Sequence, residues 1–507
     1  MSSHSPHTNG EAEQEEEDDV MLDPAEAEEE VPQGEDAAMD SDEEAGELSE
    51  EIQLQNDSVA HFDAHKDSIF CIAQHPTNPA WIATGAGDDA AYIWDCTPPD
   101  APVLPPSYQS DPQPVERESL KPLARLDGHT ESLNAIAFTL PHGEYVVTGD
   151  LDGRLSIYAF ANASTAAEPV ASVQEVEEVQ WIQPCPHPSH PNTFALGAND
   201  GSVWVYSVNA SDPSSPLSIT QAYYLHTGPC TAGTWSADGK LLATVSEDSS
   251  LYVWDVFGEA GALGLASSSS VSGGQAVVGL TAQDERFNVE GGLYSVAISP
   301  GGAIAAVGGA GGQIRIVGLP RLSTAANASA TSGAKGAGAR GKAGGGKQAG
   351  AAKAGASSAA SSGQAGVILA SLGAQSDGVE TLSFSSPPLT LLAAGSVDGS
   401  IALYDVAHNF AVRRHIKEAH EEEAVIRVEF VPGTTLLTSC GNDGVVRRWD
   451  ARGGTAAAHQ GLVGEWRGHR GGGEGGGVLG FVQAGGGRYI VTAGDDGIAL
   501  VFPASQA

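Results

Sequence analysis

The sequence predicts an all-β fold, a closed ring of repeated four-stranded antiparallel sheets known as a β-propeller. The first observation is a motif in which an acidic turn residue precedes an aromatic residue by six positions. It occurs in seven full copies, and a degenerate eighth copy runs from Gly311 to Val317. The full copies run from Asp88 to Trp94, Asp152 to Tyr158, Asp200 to Tyr206, Asp248 to Trp254, Asp398 to Tyr404, Asp443 to Trp449 and Asp496 to Phe502.

The spacing of the copies is the second observation. Successive copies lie 64, 48, 48, 63, 87, 45 and 53 residues apart. The shortest spacings are close to the length of one propeller blade, and the longer ones contain insertions. We therefore predict a single propeller over residues 58–507, with eight blades, and with seven blades as the alternative.

Each repeat also has the local pattern of antiparallel sheet. In the second repeat, short β-rich runs at Leu133 to Phe138, Tyr145 to Thr148 and Leu155 to Phe160 are separated by turns rich in Gly, Asp and Pro. A fourth strand is expected before the next repeat. Val59 to Phe62, ahead of the first repeat, is predicted to pair with the last blade and close the ring, which removes an exposed sheet edge.

Segments outside the repeats differ sharply in composition. Residues 1–57 contain 22 of the 65 acidic residues and no Lys or Arg, so we predict a disordered acidic tail. The tail is either a solubilising extension or a segment that binds basic proteins or shields the chain from unwanted contacts. Low-complexity insertions at about 97–119, 259–283 and 321–366 are also predicted to be disordered. The third carries six basic residues and no acid; an expanded loop is the simplest interpretation, and folding back onto the tail or weak RNA binding are the others.

The charge and the cysteines limit the classes of partner and location. The net charge is −41, and outside the tail 43 acidic residues still face 24 basic ones. This argues against direct nucleic-acid or membrane binding and favours a basic protein partner. The five cysteines form no paired framework, which fits reduced thiols. With no signal peptide or long apolar run, we expect a cytoplasmic monomer, with the nucleus left open as a second location.

Three repeats contain a fuller pattern, in which a His precedes the Asp by 23, 22 and 23 residues and a Ser or Thr lies between them. These repeats end in the pairs Trp94-Asp95, Trp254-Asp255 and Trp449-Asp450, and residues 58–503 thereby resemble the WD-repeat family. The resemblance implies a buried hydrogen-bond relay inside each blade rather than a catalytic triad. We predict no enzyme activity, no cofactor and no metal. The structural tetrads are His65, Thr84, Asp88 and Trp94; His226, Thr244, Asp248 and Trp254; and His420, Ser439, Asp443 and Trp449.

The same resemblance implies that the loop before each inner strand and the Asp-bearing turn open onto one narrow face. The acids in those segments predict an acidic rim that binds a Lys/Arg-rich peptide, with Phe70 and Tyr294 as apolar anchors nearby. The alternative is that an acidic protein simply has acids on every loop. The predicted partner-binding acids are Asp67, Asp89, Glu131, Asp150, Glu177, Glu178, Glu247, Glu290, Asp377, Glu421, Glu422 and Asp495, with Glu423 beside them.

A closer resemblance suggests a function. The acidic N-terminus, followed by HFDAHKDSIFCIAQHP, ATGAGDDAAYIWD, LDGHTESLNAIAF and WIQPCPHPSHPNTFALGANDGSVWVY, looks like the angio-associated migratory cell protein family. That family is similar to a fungal WD-repeat assembly chaperone of the large ribosomal subunit. The resemblance implies eight blades and a dedicated chaperone that captures a basic large-subunit ribosomal protein during 60S assembly. The fifth blade departs from the family pattern at Gly311.

Two other binding functions remain open from the sequence. Trp449-Asp450-Ala451-Arg452 resembles the box by which some WD-repeat proteins dock onto cullin-RING ubiquitin ligases as substrate receptors. A histone-binding or nuclear scaffold is the other alternative, because an acidic tail beside a propeller also suits histone capture.

Overall fold

Eight antiparallel sheets surround a common centre in the computed structural model of the chain. The expectations for the acidic tail up to residue 54 and for the middle of each insertion lie outside the residues that the structure describes. Those residues are 55–99, 117–161, 164–165, 168–209, 211–212, 214–263, 276–322, 364–452, 461–471 and 475–504.

Each blade contains four main strands, which run in order from the inner to the outer strand. Blade 1 has Ile69–Gln74, Trp81–Ala86, Ala91–Asp95 and Pro122–Leu126. Blade 2 has Leu133–Phe138, Tyr145–Asp150, Arg154–Ala161 and Ala171–Gln174, with Ser164–Thr165 paired to its third strand. Blade 3 has Val179–Pro184, Thr193–Ala198, Val203–Val208 and Leu217–Tyr223. Blade 4 has Ala232–Trp235, Leu241–Val245, Leu251–Asp255 and Ala276–Leu280.

The second half of the ring follows the same order. Blade 5 has Leu293–Ile298, Ile304–Gly309, Ile314–Gly318 and Ile368–Leu372. Blade 6 has Val379–Phe384, Leu391–Ser396, Ile401–Asp405 and Ala411–Ile416. Blade 7 has Val425–Phe430, Leu436–Gly441, Val446–Asp450 and Leu462–Trp466. Blade 8 has Val478–Ala484, Tyr489–Gly494, Ala499–Pro503 and Ala60–Phe62. The remaining elements are a short strand at Ala419–Glu422, an α-helix at Glu259–Ala262 and 3-10 helices at Ala310–Gly312 and Val406–His408.

The ring is closed by the N-terminal strand. The inner strands of neighbouring blades lie against each other, including those of blades 8 and 1. Ala60–Phe62 pairs antiparallel with Ala499–Pro503, with Ala60 opposite Val501. The predicted eight blades and the predicted closing strand are therefore both confirmed, and the seven-bladed alternative is wrong.

The apolar core lies between the blades. The buried hydrophobic residues of the described chain form eight clusters, and each cluster joins two adjacent blades. A second strand is therefore covered on both faces: every residue of Thr193–Ala198 and of Leu391–Ser396 is buried. This explains why these strands read as continuous runs of apolar and small residues instead of alternating with polar ones.

The connections between third and outer strands leave from one end of the blades. At this end, the residue after a third strand donates its N–H to the carbonyl of the residue before the second strand. Cys96 N donates to Ala80 O in this way, and Leu319 N donates to Ala303 O, both at 2.8 Å. The long predicted insertions all belong to these connections. The one predicted over 259–283 is shorter than expected, because Ala276–Leu280 is the outer strand of blade 4. Among the described residues, no helix has the length and apolar character required to cross a membrane.

Candidate protein-binding face

The opposite end of the blades forms one continuous surface. In seven blades, the first residue of the turn between the second and third strands donates its N–H to the carbonyl of the residue just before the inner strand. In blade 4 the second turn residue, Glu247, donates to Pro229, three residues before the inner strand. We call the eight turns and the eight lead-in loops before the inner strands the rim. The donor and acceptor pairs are Gly87 and Ser68, Leu151 and Ser132, Asn199 and Glu178, Glu247 and Pro229, Ala310 and Gly292, Val397 and Gly378, Asn442 and Ala424, and Asp495 and Gly477.

Neighbouring blades are also joined along the rim. The lead-in loop of one blade donates to the turn of the blade before it, as His420 N does to Gly399 O at 3.0 Å. Between the last and first blades, Ser68 Oγ donates to Asp495 Oδ1 at 2.6 Å. The rim is therefore a fixed ring in which loops from all eight blades keep defined positions.

Most of the predicted acidic residues are solvent-exposed on this ring. Glu178 and Asp495 are half-buried, and Asp495 is held by Ser68 and by the N–H of Gly475, which donates to its Oδ2 at 3.0 Å. The exposed acids are Asp67, Asp89, Glu131, Glu177, Glu247, Glu290, Asp377, Glu421 and Glu422.

The predicted rim position of Asp150 is wrong. Its side chain is fully buried, and Oδ2 lies 2.7 Å from His129 Nδ1. Oδ1 accepts hydrogen bonds from the N–H groups of Asp152 and Arg154 at 3.1 and 2.8 Å. Asp150 is the last residue of the second strand, so its side chain enters the blade, whereas the neighbouring Asp152 is exposed on the turn. Asp150 therefore serves blade 2 as a relay carboxylate.

The hydrogen-bond relay implied by the WD-repeat resemblance is present in blades 1 and 7. In blade 1, Trp94 Nε1 donates to Thr84 Oγ1 at 3.2 Å, and Thr84 Oγ1 lies 2.9 Å from His65 Nε2. His65 Nδ1 lies 3.1 Å from Asp88 Oδ1, and Asp88 Oδ2 accepts from the N–H of Lys66 in the lead-in loop. The relay therefore connects the packed blade to the rim. In blade 7 the corresponding distances are 2.9, 2.8 and 2.9 Å through Trp449, Ser439, His420 and Asp443.

Blade 4 departs from this pattern. Trp254 Nε1 donates to Thr244 Oγ1 at 2.9 Å, and Thr244 lies 2.8 Å from His226 Nε2. His226 Nδ1, however, lies 2.6 Å from Ser250 Oγ and 3.9 Å from Asp248, so the serine is inserted between the imidazole and the carboxylate. The predicted tetrad of this blade has a fifth member.

Sequence reasoning missed three further relays. His129, Thr148 and Asp150 form one in blade 2, and His469, Thr492 and Asp496 form another in blade 8. The dipeptides Gly128-His129 and Gly468-His469 before the inner strands were the available signal. In blade 6, a glutamine replaces the histidine: Gln375 Nε2 donates to Ser400 Oγ at 3.1 Å, and Ser400 N donates to Asp398 Oδ1 at 3.0 Å.

The inner strands shape the mouth of the ring through a shared irregularity. In seven of the eight, the pairing register shifts at the second residue, which marks a β-bulge. Both predicted apolar anchors occupy this position: Phe70 is 40% exposed and Tyr294 is half-buried. The bulged residues are Phe70, Asn134, Gln180, Tyr294, Glu380, Ile426 and Leu479.

Three carboxylates from the two neighbouring blades, 4 and 6, act on Tyr294. Burial raises the pKa of its phenol, and the charges of Glu247, Glu380 and Asp377 raise it further. Partial desolvation at the mouth of the ring, followed by repulsion from Asp377, also raises the pKa of Glu380, although its side chain still reaches solvent. Burial is the larger cause of both shifts, and the part due to the carboxylates is a sign of negative potential that a bound cation would relieve. Glu380 was missed by sequence reasoning, although it stands at the same strand position as Phe70.

The proposed ligase-docking box lies away from the rim. Asp450 ends a third strand, at the insertion-bearing end of blade 7. Arg452 folds back on it, with Nη2 donating to Asp450 Oδ2 at 2.7 Å. No group of three or more His, Cys, Asp or Glu side chains suited to a metal ion occurs in the part of the chain that the structure describes.

Comparison with known proteins gives a consistent assignment. The family described as WD domain, G-beta repeat matches residues 56–95, 120–158, 217–255, 366–405 and 412–450. The ribosome assembly protein SQT1 of Saccharomyces cerevisiae is 32% identical over 227 residues, which cover 44% of this chain and 46% of that protein. The chain is thus matched to about half of the length of that relative. The human angio-associated migratory cell protein is 24% identical over 451 residues, 88% of this chain and 80% of that protein.

A solved structure matches a larger part of the chain than SQT1 does. The crystal structure of Sqt1 from Chaetomium thermophilum bound to the N-terminus of ribosomal protein L10 is 49% identical, with a TM-score of 0.72. The match spans 89% of the present chain and the full length of the solved Sqt1 chain. The chain therefore belongs to the WD40-repeat family that includes the ribosome assembly protein Sqt1.

Proposed function

We propose that this protein is a non-enzymatic chaperone that holds a large-subunit ribosomal protein by a basic N-terminal segment laid across the acidic rim. The observation that carries the proposal is the 49% identity, over the whole length of the relative, to an Sqt1 that was solved with the N-terminus of ribosomal protein L10 bound. The likeness to SQT1, described as a ribosome assembly protein, supports it from a second species.

The charge of the rim fits such a ligand. Backbone hydrogen bonds hold the loops that carry these carboxylates, so the like charges can separate only as far as their side chains reach. A Lys/Arg-rich peptide would neutralise several of them at once and would associate quickly, with a strong dependence on salt. The relays stiffen the blades beneath the rim, which lowers the conformational cost of binding.

A chaperone of this type would protect a protein that is meant to bind RNA. Basic segments of such proteins bind nucleic acid through charge alone, at many wrong sites. We propose that the rim covers the segment until rRNA phosphates compete for it. The protein would act as a monomer in the cytoplasm, and its role in ribosome assembly would also be compatible with a nuclear pool.

Calorimetry of the full chain with a synthetic N-terminal segment of L10 tests the rim. The double variant Glu131→Lys, Glu177→Lys changes two exposed rim residues and should weaken binding at least about tenfold, with a shallower salt dependence. Glu118→Lys, an exposed charge reversal at the insertion-bearing end of blade 1, is the matched control. Equal affinity for the double variant and the wild type would exclude the rim as the binding surface.

A second measurement separates a chaperone from a simple binder. Full-length L10 is mixed with a non-cognate RNA, with and without the protein, and co-precipitation is followed by light scattering. The wild type should suppress precipitation at about equimolar ratio, and the double rim variant should not. If the protein binds the segment yet leaves precipitation unchanged, the chaperone function is wrong while the binding function stands.

A further inference from the structure

Two aromatic side chains form an exposed corner at the outer edge of blade 3. The rings of Trp204 and Tyr224 lie 5.8 Å apart, at an interplanar angle of 84°. Trp204 is half-buried, whereas Tyr224 is 64% exposed and immediately follows the outer strand Leu217–Tyr223. The Tyr224 ring therefore lies outside the blade core, where a partner can reach it.

Two carboxylates border the corner. Trp204 Nε1 donates to Ser202 Oγ at 2.9 Å, and Ser202 Oγ donates to Asp200 Oδ1 at 2.6 Å. The phenol of Tyr206 donates to Glu175 Oε2 at 2.6 Å. These bonds use Oδ1 of Asp200 and Oε2 of Glu175. The second oxygen of each carboxylate has no hydrogen-bond partner among the described residues. Burial raises the pKa of Tyr224, and the charges of Asp200 and Glu175 raise it further, so both carboxylates act at this ring.

Blade 1 has an aromatic ring at the equivalent strand position, and there a cation from the same chain lies over it. Tyr92 lies two residues before the anchor Trp94, as Trp204 lies two residues before Tyr206. The cross-strand partner of Tyr92 is Arg125, whose guanidinium carbon lies 5.9 Å from the centre of the Tyr92 ring. The Nε of Arg125 also contacts Asp127 at 3.0 Å. An aromatic ring at this position of the third strand is thus paired with a cation and a carboxylate.

In blade 3 the cross-strand partner of Trp204 is Ala222. The alanine supplies no cation, while the charges of Asp200 and Glu175 act at the neighbouring Tyr224 ring. We propose that the blade 3 corner, made of Trp204, Tyr224, Asp200 and Glu175, binds an arginine side chain of a basic partner protein. A planar guanidinium can stack on the rings and hydrogen-bond to both carboxylates, which an ammonium group does less well.

The position of the corner extends the rim. Asp200 belongs to the rim turn of blade 3, and Tyr224 leads into the lead-in loop of blade 4. A basic segment that crosses the rim can therefore continue outward over blade 3 and place an arginine in the corner. The proposal rests on the proposed function only for the source of this arginine; the recognition of arginine itself is independent of L10.

Hexa-arginine and hexalysine peptides, titrated into the full chain by calorimetry, test the corner directly. We expect hexa-arginine to bind about fivefold more tightly than hexalysine. Tyr224→Leu should remove this preference, and Tyr224→Phe should keep it because the ring is retained. Ala222→Arg should also remove it, since it would supply the internal cation found in blade 1. Ile219→Ala, at a residue that is 51% exposed on the same outer strand, is the control.

The outcomes separate this proposal from the proposed function. If the preference for hexa-arginine survives in both Tyr224→Leu and Ala222→Arg, the proposed arginine site at the corner is wrong. Thermal unfolding establishes that these variants are folded. The double rim variant should weaken both peptides alike. If it weakens L10 binding while the corner variants change neither peptide nor L10 binding, the rim function stands and the corner is wrong. If only the corner variants have an effect, the rim is wrong and the corner stands.

Discussion

His129 Nδ1 lies 2.7 Å from Asp150 Oδ2, and neither side chain is exposed to solvent. This contact places a carboxylate inside blade 2 at a position where the sequence suggested a surface acid. The other oxygen of Asp150, Oδ1, accepts hydrogen bonds from the N–H groups of Asp152 and Arg154 in the following turn. Charge reversal at Asp150 would therefore test the stability of the blade instead of the binding of a partner.

We expect Asp150→Asn to lower the free energy of unfolding by about 2–4 kcal/mol, because one oxygen of a buried, multiply bonded carboxylate is replaced by a donor. Glu131→Gln, on the lead-in loop of the same blade, should change it by less than about 0.5 kcal/mol. Urea denaturation of the full chain measures both. Equal midpoints for the two variants would contradict the structural role of Asp150.

The spacing of repeats in the sequence favoured eight blades over seven, because each blade must supply the same turn at the same place. The closing strand was predicted from the run Val59 to Phe62 ahead of the first repeat. The relay carboxylates were harder to predict. Asp150 and Asp152 are two residues apart, and the six-residue step to Tyr158 favours the wrong one. Only the strand boundary at Asp150, which sequence patterns locate poorly, determines which side chain enters the blade.

The blade 3 corner was missed for a related reason. Its interpretation depends on the residue that lies opposite the aromatic ring on the outer strand. That residue is Ala222 opposite Trp204 in blade 3 and Arg125 opposite Tyr92 in blade 1. A register shift between Val205 and Tyr206 lies inside this pairing. The connection between the third and outer strands also differs in length from blade to blade. Counting along the sequence cannot recover these cross-strand partners.

Asp398 should make the stability of blade 6 depend on acid pH. Burial opposes its ionisation, but hydrogen bonds from Ser376 and Ser400 outweigh it and lower the pKa of Asp398 from 3.8 to about 2. The unfolded chain therefore takes up this proton first as the pH falls. The stabilisation is complete above about pH 4 and is lost as the pH falls towards 2.

Asp398→Asn should accordingly cost about 1–2 kcal/mol at pH 7, a value discounted for partial solvent exposure. The difference from the wild type should shrink between pH 4 and pH 2 in chemical denaturation at fixed temperature. Asp89→Asn, at an exposed turn residue with a left-handed backbone that asparagine tolerates, is the control. A difference that stays constant down to pH 2 would contradict the assigned pKa.

Arg315 should hold together the blade that lacks a relay Asp. Blade 5 has Gly311 in place of the carboxylate, and Arg315 is only 8% exposed. Its Nε donates to Arg286 O at 3.0 Å, and its Nη2 donates to Asn288 O at 3.1 Å and to Gln313 Oε1 at 2.6 Å. The guanidinium thus bonds the lead-in segment that a histidine and an Asp hold elsewhere.

We expect Arg315→Leu to destabilise the protein by about 2–4 kcal/mol, since two backbone carbonyls lose their donor. Arg286→Leu removes a guanidinium that is 80% exposed and paired with Asp284, and it should leave the unfolding midpoint close to that of the wild type. Hydrogen exchange would locate the effect of Arg315→Leu in residues 284–292. Unchanged protection there would indicate that the fifth blade is held by other contacts.

Phe62 should be the residue on which closure of the ring depends most. It is fully buried, and its ring stacks on Trp94 with centroids 4.8 Å apart and planes at 4°. Since Phe62 is in the outer strand of blade 8 and Trp94 is in blade 1, this contact joins the two ends of the repeat array. We expect Phe62→Ala to cost about 3–5 kcal/mol, because it removes a large buried ring at a site with rigid walls.

The same substitution should also change the association state of the protein. Loss of Ala60–Phe62 from the sheet would expose the edge of Ala499–Pro503, and an open edge strand pairs readily with other chains. Size-exclusion chromatography should therefore detect oligomers of Phe62→Ala under mild denaturant, where the wild type stays at one elution volume. Leu123→Ala, on the outer strand of blade 1 and 39% exposed, should cost less than about 1 kcal/mol and leave the elution unchanged. If Phe62→Ala unfolds at a lower denaturant concentration without oligomers, the ring opens elsewhere first, and the N-terminal strand contributes packing but does not act as the closure.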